Sequence, residues 1–174
     1  MIHTVGLADM KISSSKEDII ITHGLGSCLG ITVYDPLAHI GGMLHVMLPF
    51  SNIDPERAKE KPFMFVDTGL PKLFISCYEM GASKDRLIVT VCGGANPLGM
   101  SNNKVFNIGE RNFAILQKLL DKNNVSLAAC DIGGTQSRTM TLEIATGRVS
   151  LKINGYENKV LFDASTDKSA QVFK

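Results

Sequence analysis

The chain has 174 residues, with 18 Lys and Arg against 17 Asp and Glu and a formal net charge of +1. That length suits one domain with a sizeable core, and the balanced, interspersed charge offers no electrostatic basis for binding nucleic acid or a lipid surface. Met1 to Gly6 carry neither a basic region nor a long apolar run, and no stretch of about 20 apolar residues follows, so a cytoplasmic protein without signal peptide or membrane insertion is expected.

In chain order, residues 3–12 and 17–22 read as strands around the polar turn Ser13-Ser14-Ser15-Lys16. Leu29 to Tyr34 alternates apolar with small or polar residues, as a strand does, and Ile40 to Leu48 returns as a second one. Asp35-Pro36-Leu37-Ala38 supplies the turn between them: Pro pre-sets φ, and the Asp side chain can bond the backbone beyond it. The charged stretch from Ser51 to Pro62 reads as surface loop or short helix. A helix is expected from Asp67 or Thr68 as cap, with Pro71 in its first turn and its end near Gly81. After the apolar strand Leu87 to Val91, a second helix begins near Asn107, where Asn107 and Glu110 have capping-box spacing, and ends around Lys122. Ile108, Ile115, Leu116, Leu119 and Leu120 form its apolar face. Strands follow at Val125–Ile132, Ser137–Glu143 and, after the turn Ala145-Thr146-Gly147, Arg148–Ile153. These elements predict an α/β (α+β) layered sandwich of mixed, largely antiparallel sheets with two main flanking helices.

The four cysteines, Cys28, Cys77, Cys92 and Cys130, form no Cys-x-x-Cys pair, and the four histidines lack tight ligand spacing, so no metal site is expected. No cofactor motif is present either: Gly93-Gly94 and Gly133-Gly134 are turns or loops after strands, without the Lys-Ser/Thr of a phosphate loop. Cys77 shares an apolar helix stripe with Leu70, Leu73 and Phe74, and Cys92 and Cys130 lie in strands, so all three read as packing residues.

Cys28 differs, because the hairpin brings a histidine to it. If Asp35 to Ala38 is a four-residue loop, Tyr34 faces His39, Thr32 faces Gly41, Gly30 faces Met43 and Cys28 faces His45. Directly opposed residues share a face, with Cβ atoms about 4.5–5.5 Å apart. The opposite face carries Leu29, Ile31, Val33, Leu44, Val46 and Leu48, a core surface. Gly30, Gly41 and Gly42, on or next to the Cys/His face, would leave room for a substrate to reach the sulfur. A thiol beside an imidazole is the minimum equipment for a cysteine nucleophile; the plain alternative is a small buried Cys28 and a satisfied polar His45. A bulge at Gly41-Gly42 would turn His45 to the other face. His23 competes as a base by sequence proximity, but the pairing favours His45.

At these residues the chain resembles the chemoreceptor glutamine deamidase (CheD) family. Thr22-His23-Gly24-Leu25-Gly26-Ser27-Cys28 and Gly41-Gly42-Met43-Leu44-His45-Val46-Met47-Leu48-Pro49 are similar to that family's two active-site segments. Asp67-Thr68-Gly69-Leu70-Pro71, Gly93-Gly94-Ala95-Asn96, Asn107-Ile108-Gly109-Glu110-Arg111-Asn112 and Asp131-Ile132-Gly133-Gly134-Thr135 match later blocks in the same order. The resemblance spans about Ile2 to Ile153, which suggests a deamidase domain over residues 1–155 and a C-terminal extension over 156–174.

The resemblance implies that Cys28 is the nucleophile, His45 the base and Thr22 the third member of a triad. It implies acyl transfer from a glutamine side chain through a thioester. Gly26, Ser27, Gly41 and Gly42 are candidates for the oxyanion and substrate loops, with the Cys28 N–H and a neighbouring N–H of the Gly26-Ser27 turn as donors; Ser27 otherwise serves the turn. The implied substrate is the cytoplasmic helices of methyl-accepting chemotaxis receptors. A second reading is an adaptor for a CheC-type chemotaxis phosphatase, with or without catalysis. A third is another cysteine amidase or a transglutaminase on the same scaffold.

Overall fold

The structure, a computed structural model, describes residues 1–99 and 107–168. Its strands are β1 (Ile2–Val5), β2 (Asp9–Ser13), β3 (Ile19–Leu25), β4 (Leu29–Asp35), β5 (Ile40–Val46), β6 (Ile88–Gly93), β7 (Leu127–Ile132), β8 (Arg138–Glu143), β9 (Arg148–Ile153) and β10 (Glu157–Asp163). The helices are α1 (Pro55–Glu60), α2 (Val66–Glu79) and α3 (Ile108–Lys122). The strands form two five-stranded sheets, ordered β1-β3-β8-β9-β10 and β2-β5-β4-β6-β7. Among the named strands of the described residues, the β1/β3 and β6/β7 pairs are parallel and the other ladders antiparallel. This matches the mixed, largely antiparallel sandwich expected from the sequence.

Strand alternation sorts the core into two layers. On one side of the β2-β5-β4-β6-β7 sheet, Leu29, Ile31, Val33, Leu44, Val46, Val89 and Val91 meet Val66, Leu70, Leu73 and Cys77 of α2 and Ile115, Leu116 and Leu120 of α3. On its other side, Tyr34, Met43 and Cys92 meet Ile20, Leu25, Met140, Leu142, Val149 and Leu151 of the second sheet. The order is therefore helices, sheet, sheet. β4 is covered on both faces, and all seven of its residues are buried. Each fully buried aliphatic or aromatic side chain contributes about 1.5–3 kcal/mol to this arrangement.

Several boundaries differ from the sequence reading, each for a local reason. The strand expected over residues 3–12 is two strands in different sheets: the chain turns at Gly6-Leu7-Ala8, where Ala8 takes φ 53°. Helix α2 is capped by Phe65, because the Asp67 carboxylate accepts instead from Ser51 N (2.9 Å) and Ser51 Oγ (2.7 Å). Pro71 lies inside the helix and not in its first turn, so the Asp67 carbonyl lacks its helical donor. Helix α3 follows expectation: Asn107 Oδ1 accepts from Glu110 N (3.4 Å), and the helix ends at Lys122. The tail continues the fold as β10, antiparallel to β9. Lys159 and Arg148 anchor it through Asp131 (2.7 Å) and Asp163 (2.8 Å). Residues 169–174 of the expected extension lie outside the described ones. Cys77 and Cys92 are buried as expected, whereas Cys130 is exposed, since β7 is an edge strand.

The β4–β5 hairpin forms without a bulge, but its loop is displaced by one residue. Asp35 pairs with Ile40 and is the last rung, and the loop is Pro36 to His39, closed by His39 at φ 52°. Asp35 is fully buried and holds this end together. Its carboxylate accepts from Leu37 N (3.0 Å), Ala38 N (3.1 Å), Ser83 N (2.9 Å) and the Arg86 guanidinium (Nη2, 2.7 Å). Burial alone would push its pKa up, but these donors outweigh that and hold it below the usual carboxylate range. Asp35→Ala is expected to cost about 3–5 kcal/mol in urea unfolding, because Arg86 and three N–H groups lose their acceptor. The folded pKa lies below the unfolded one, so this stabilisation is complete above about pH 4 and is lost as pH falls through the folded value. Unfolding curves of wild type and variant should converge in acid.

Candidate active site

The second end of the β4–β5 hairpin meets the second sheet at a polar pair. On β3, Ile20 and Thr22 point between the sheets, while His23 points outward and lies 3.4 Å from Thr139 Oγ1. On β5, Met43 and His45 point between the sheets. Thr22 and His45 are 0% and 1% exposed. Thr22 Oγ1 lies 2.8 Å from His45 Nδ1 and 2.8 Å from the Val5 carbonyl oxygen.

A carbonyl oxygen can only accept, so the single Thr22 hydroxyl proton goes to Val5. The hydroxyl oxygen then accepts from Nδ1–H. This assigns the Nδ1–H tautomer and leaves a lone pair on Nε2. Nε2 is buried and has no hydrogen-bond partner among the described residues. Burial lowers the imidazole pKa to about 4, so the ring is neutral near pH 7.

After Thr22 the β3–β8 register breaks, Gly24 takes φ 68° and Gly26 N–H closes a tight turn onto Gly24 O (3.0 Å). This kink carries the chain from one sheet to the other and delivers Cys28 just before β4. Cys28 is half-buried against the inter-sheet core, the side that also holds His45. Burial raises its thiol pKa, opposed in part by its own backbone N–H.

The direct opposition of Cys28 and His45 expected from the sequence is corrected by the displaced loop. The ladder pairs His45 with Gly30 and Leu29 with Val46. A loop moved by one residue shifts the register by two, which preserves the face of every side chain. Continued one residue past the ladder, this register would set Cys28 diagonal to His45 across Gly30, and no hydrogen bond joins its thiol to His45 Nε2.

The glycines do not open a substrate path as expected. A Cβ at Gly30 would lie 2.7 Å from Leu25 Cδ1 and 3.0 Å from Met140 Sδ; one at Gly41 would lie 2.6 Å from Ile144 Cδ1. One at Gly42 would lie 2.8 Å from Leu73 Cδ1. Each position is filled by a core side chain: Gly30 and Gly41 between the sheets, Gly42 under α2. Gly41 and Gly42 are therefore close-packing positions within a strand paired on both sides. The Gly26 N–H is committed to its turn, whereas the Ser27 and Cys28 N–H groups donate to no carbonyl among the described residues.

The Cys28 loop is held from three directions. Gly94 N–H donates to Cys28 O (2.9 Å) and Ala95 N–H to Gly26 O (2.8 Å). Gly93, at φ 115°, lies so close that any side chain would collide with the Cys28 carbonyl. Gly133 N–H holds Gly93 O (3.0 Å), and buried Arg138 donates to Gly133 O (2.9 Å) and Asp131 (2.9 Å) behind it. The two Gly-Gly pairs therefore buttress the loop. From α3, Asn112 Nδ2 donates to Ser27 O and Met47 O, both at 3.1 Å. Sequence reasoning left Arg138 and Asn112 without a role. A polar Asn at helical spacing before Ile115 and Leu116 was the available signal for the second; Arg138 carried none. No cluster of three or more His, Cys, Asp or Glu side chains suited to a metal occurs among the described residues. No helix among them is long and apolar enough to cross a membrane.

The family model described as "CheD chemotactic sensory transduction" matches residues 47–153. A protein of Solibacter usitatus named "Probable chemoreceptor glutamine deamidase CheD" is 47% identical over 157 residues, covering 90% of this chain and 92% of the relative. Similarly named proteins of Syntrophus aciditrophicus and Anaeromyxobacter dehalogenans are 44% and 41% identical, over 87% and 86% of this chain and 93% and 92% of theirs. Coverage of 90% of the chain necessarily takes in the stretch from Thr22 to His45, which precedes the family-model match. With the matched segment extending over more than half of the chain and relatives aligned across nearly all of it, this protein belongs to the CheD family.

Proposed function

We propose that this protein is a protein-glutamine deamidase acting on the cytoplasmic helices of chemoreceptors, with Cys28 as nucleophile, His45 as general base and Thr22 as the residue that orients the imidazole. The observation that carries the reading is the Val5–Thr22–His45 hydrogen-bond chain. It leaves the Nε2 lone pair of a neutral imidazole free on the inter-sheet side, where the Cys28 thiol also lies. The names of the relatives supply the substrate class.

The resting pair is neutral: burial raises the thiol pKa and lowers the imidazole pKa. The thiol therefore loses its proton to His45 Nε2 as sulfur attacks the glutamine side-chain carbonyl. The tetrahedral intermediate collapses as His45 returns that proton to the leaving ammonia. The resulting thioester is hydrolysed by a water deprotonated at Nε2, which releases glutamate and restores the thiol. Backbone N–H groups at Ser27 and Cys28 supply the donors for the oxyanion.

The test is incubation with a receptor cytoplasmic fragment, followed by peptide mass spectrometry for glutamine-to-glutamate conversion and by ammonia release. Cys28→Ala is expected to abolish both, and His45→Ala to lower kcat by about 10²–10⁴. Wild type that binds the fragment without converting it would refute the deamidase reading and leave a binding role.

Thr22→Val keeps shape but removes the tautomer-fixing oxygen. It should lower kcat by about 10², with KM nearly unchanged, in steady-state assays. Full activity would remove Thr22 from the mechanism. The neutral resting pair also fixes a pH behaviour. Peptide-resolved iodoacetamide labelling of Cys28 should still be rising beyond about pH 8.5, the ordinary thiol value. A plateau reached by pH 7 would instead reveal a preformed thiolate–imidazolium pair.

A further inference from the structure

Asn112 is fully buried in the first turns of α3, on the helix side of the sheet that carries Cys28 and His45. Its side-chain amide faces two carbonyl oxygens, Ser27 O and Met47 O, each at 3.1 Å. Two acceptors require the NH₂ group there, which settles the orientation of the amide. Its Oδ1 is buried and has no partner among the described residues. Leaving a buried polar atom unpaired is costly, so the two donated bonds are what this side chain provides.

Their location is specific. The β4–β5 ladder ends at Leu29↔Val46. The next rung would join Cys28 and Met47, and Asn112 bridges the strands at that point through Met47 and the residue before Cys28. α3 can come this close because Gly109 lies against the Gly94 backbone, where a Cβ would collide.

The Ser27 bond also sets a direction. The described peptides are trans, and in a trans peptide the C=O and the following N–H point opposite ways. Asn112 draws the Ser27 carbonyl toward α3. The Cys28 N–H is therefore turned away from the Asn112 amide, and it is the backbone N–H that lies beside the Cys28 sulfur. The same N–H donates to no carbonyl among the described residues.

We infer that Asn112 is a positioning residue: by holding the Ser27 carbonyl it aims the Cys28 N–H at the place where the glutamine carbonyl oxygen becomes an oxyanion. The inference rests on the deamidase reading above. It separates two properties of Cys28. Attack on a glutamine amide needs the oxyanion donor, whereas alkylation by iodoacetamide passes through no oxyanion and needs only the thiolate.

The experiment compares wild type with Asn112→Leu, close in shape but without donors, and Asn112→Ser, smaller and keeping one donor. Each is assayed for glutamine conversion on a receptor fragment, for Cys28 alkylation rate against pH, and for thermal unfolding. The expected result is a loss of about 10²–10³ in kcat for Asn112→Leu. Its KM and its alkylation profile should stay within roughly threefold of wild type. Asn112→Ser should lose less. A folded Asn112→Leu with near wild-type kcat overturns the inference, and so does a parallel fall of kcat and alkylation, which would mean general loosening of the loop. Failure of both variants to fold overturns it as well, because Asn112 would then hold the fold and not the peptide. Inactive wild type would instead refute the deamidase reading, an outcome distinct from all of these.

Discussion

The Thr22 hydroxyl has one proton, and the Val5 carbonyl takes it. Much of the site follows from that constraint. The hydroxyl oxygen must accept from His45 Nδ1, so the ring is held in one tautomer and one orientation. The bond also links the two sheets, since Thr22 belongs to β3 and His45 to β5. A hydrogen bond in this buried setting is insulated from water and is correspondingly costly to lose. The same burial keeps the imidazole neutral, which suits its proposed role as general base.

Around that bond the chain is placed by close backbone approach. The segment between β3 and β4 crosses from sheet to sheet in a few residues, through a glycine turn and a break in register. Such a crossing leaves carbonyls without ladder partners, and the structure supplies donors from elsewhere: Gly94, Ala95 and Asn112. Gly93 and Gly109 matter because they have no side chain; each touches a backbone that a Cβ would displace. The proposed nucleophile thus stands on a loop held at its carbonyls, while the Ser27 and Cys28 N–H groups donate to no carbonyl among the described residues. This is the arrangement that electrostatic stabilisation of an oxyanion requires.

The two ends of the β4–β5 hairpin divide the work. At the turn, buried Asp35 gathers backbone donors and the Arg86 guanidinium into a rigid corner. At the open end, the ladder stops and polar groups take over. Between them β4 is buried on both faces, so its register cannot slip without turning apolar residues into the wrong layer. The stability of the turn therefore reaches the site through strand register.

The local code of the chain determined most of the elements. Alternation marked β4 and β5, the Asn107/Glu110 spacing marked the start of α3, and an even-residue loop length put Cys28 and His45 on one face whichever of the two nearby registers formed. Those properties depend on neighbours in sequence, and a pattern of period two survives a register error of two. Tertiary structure decided the rest. The turn moved by one residue because the buried Asp35 carboxylate needs its donors from distant Ser83 and Arg86. The glycines that suggested an open path are filled by Leu25, Met140, Ile144 and Leu73, side chains far apart in the chain. The tail became an edge strand because β9 offered an unpaired edge. Asn112, 85 residues from Ser27, reaches its carbonyl because helix packing brings the two together, and no local pattern encodes that distance.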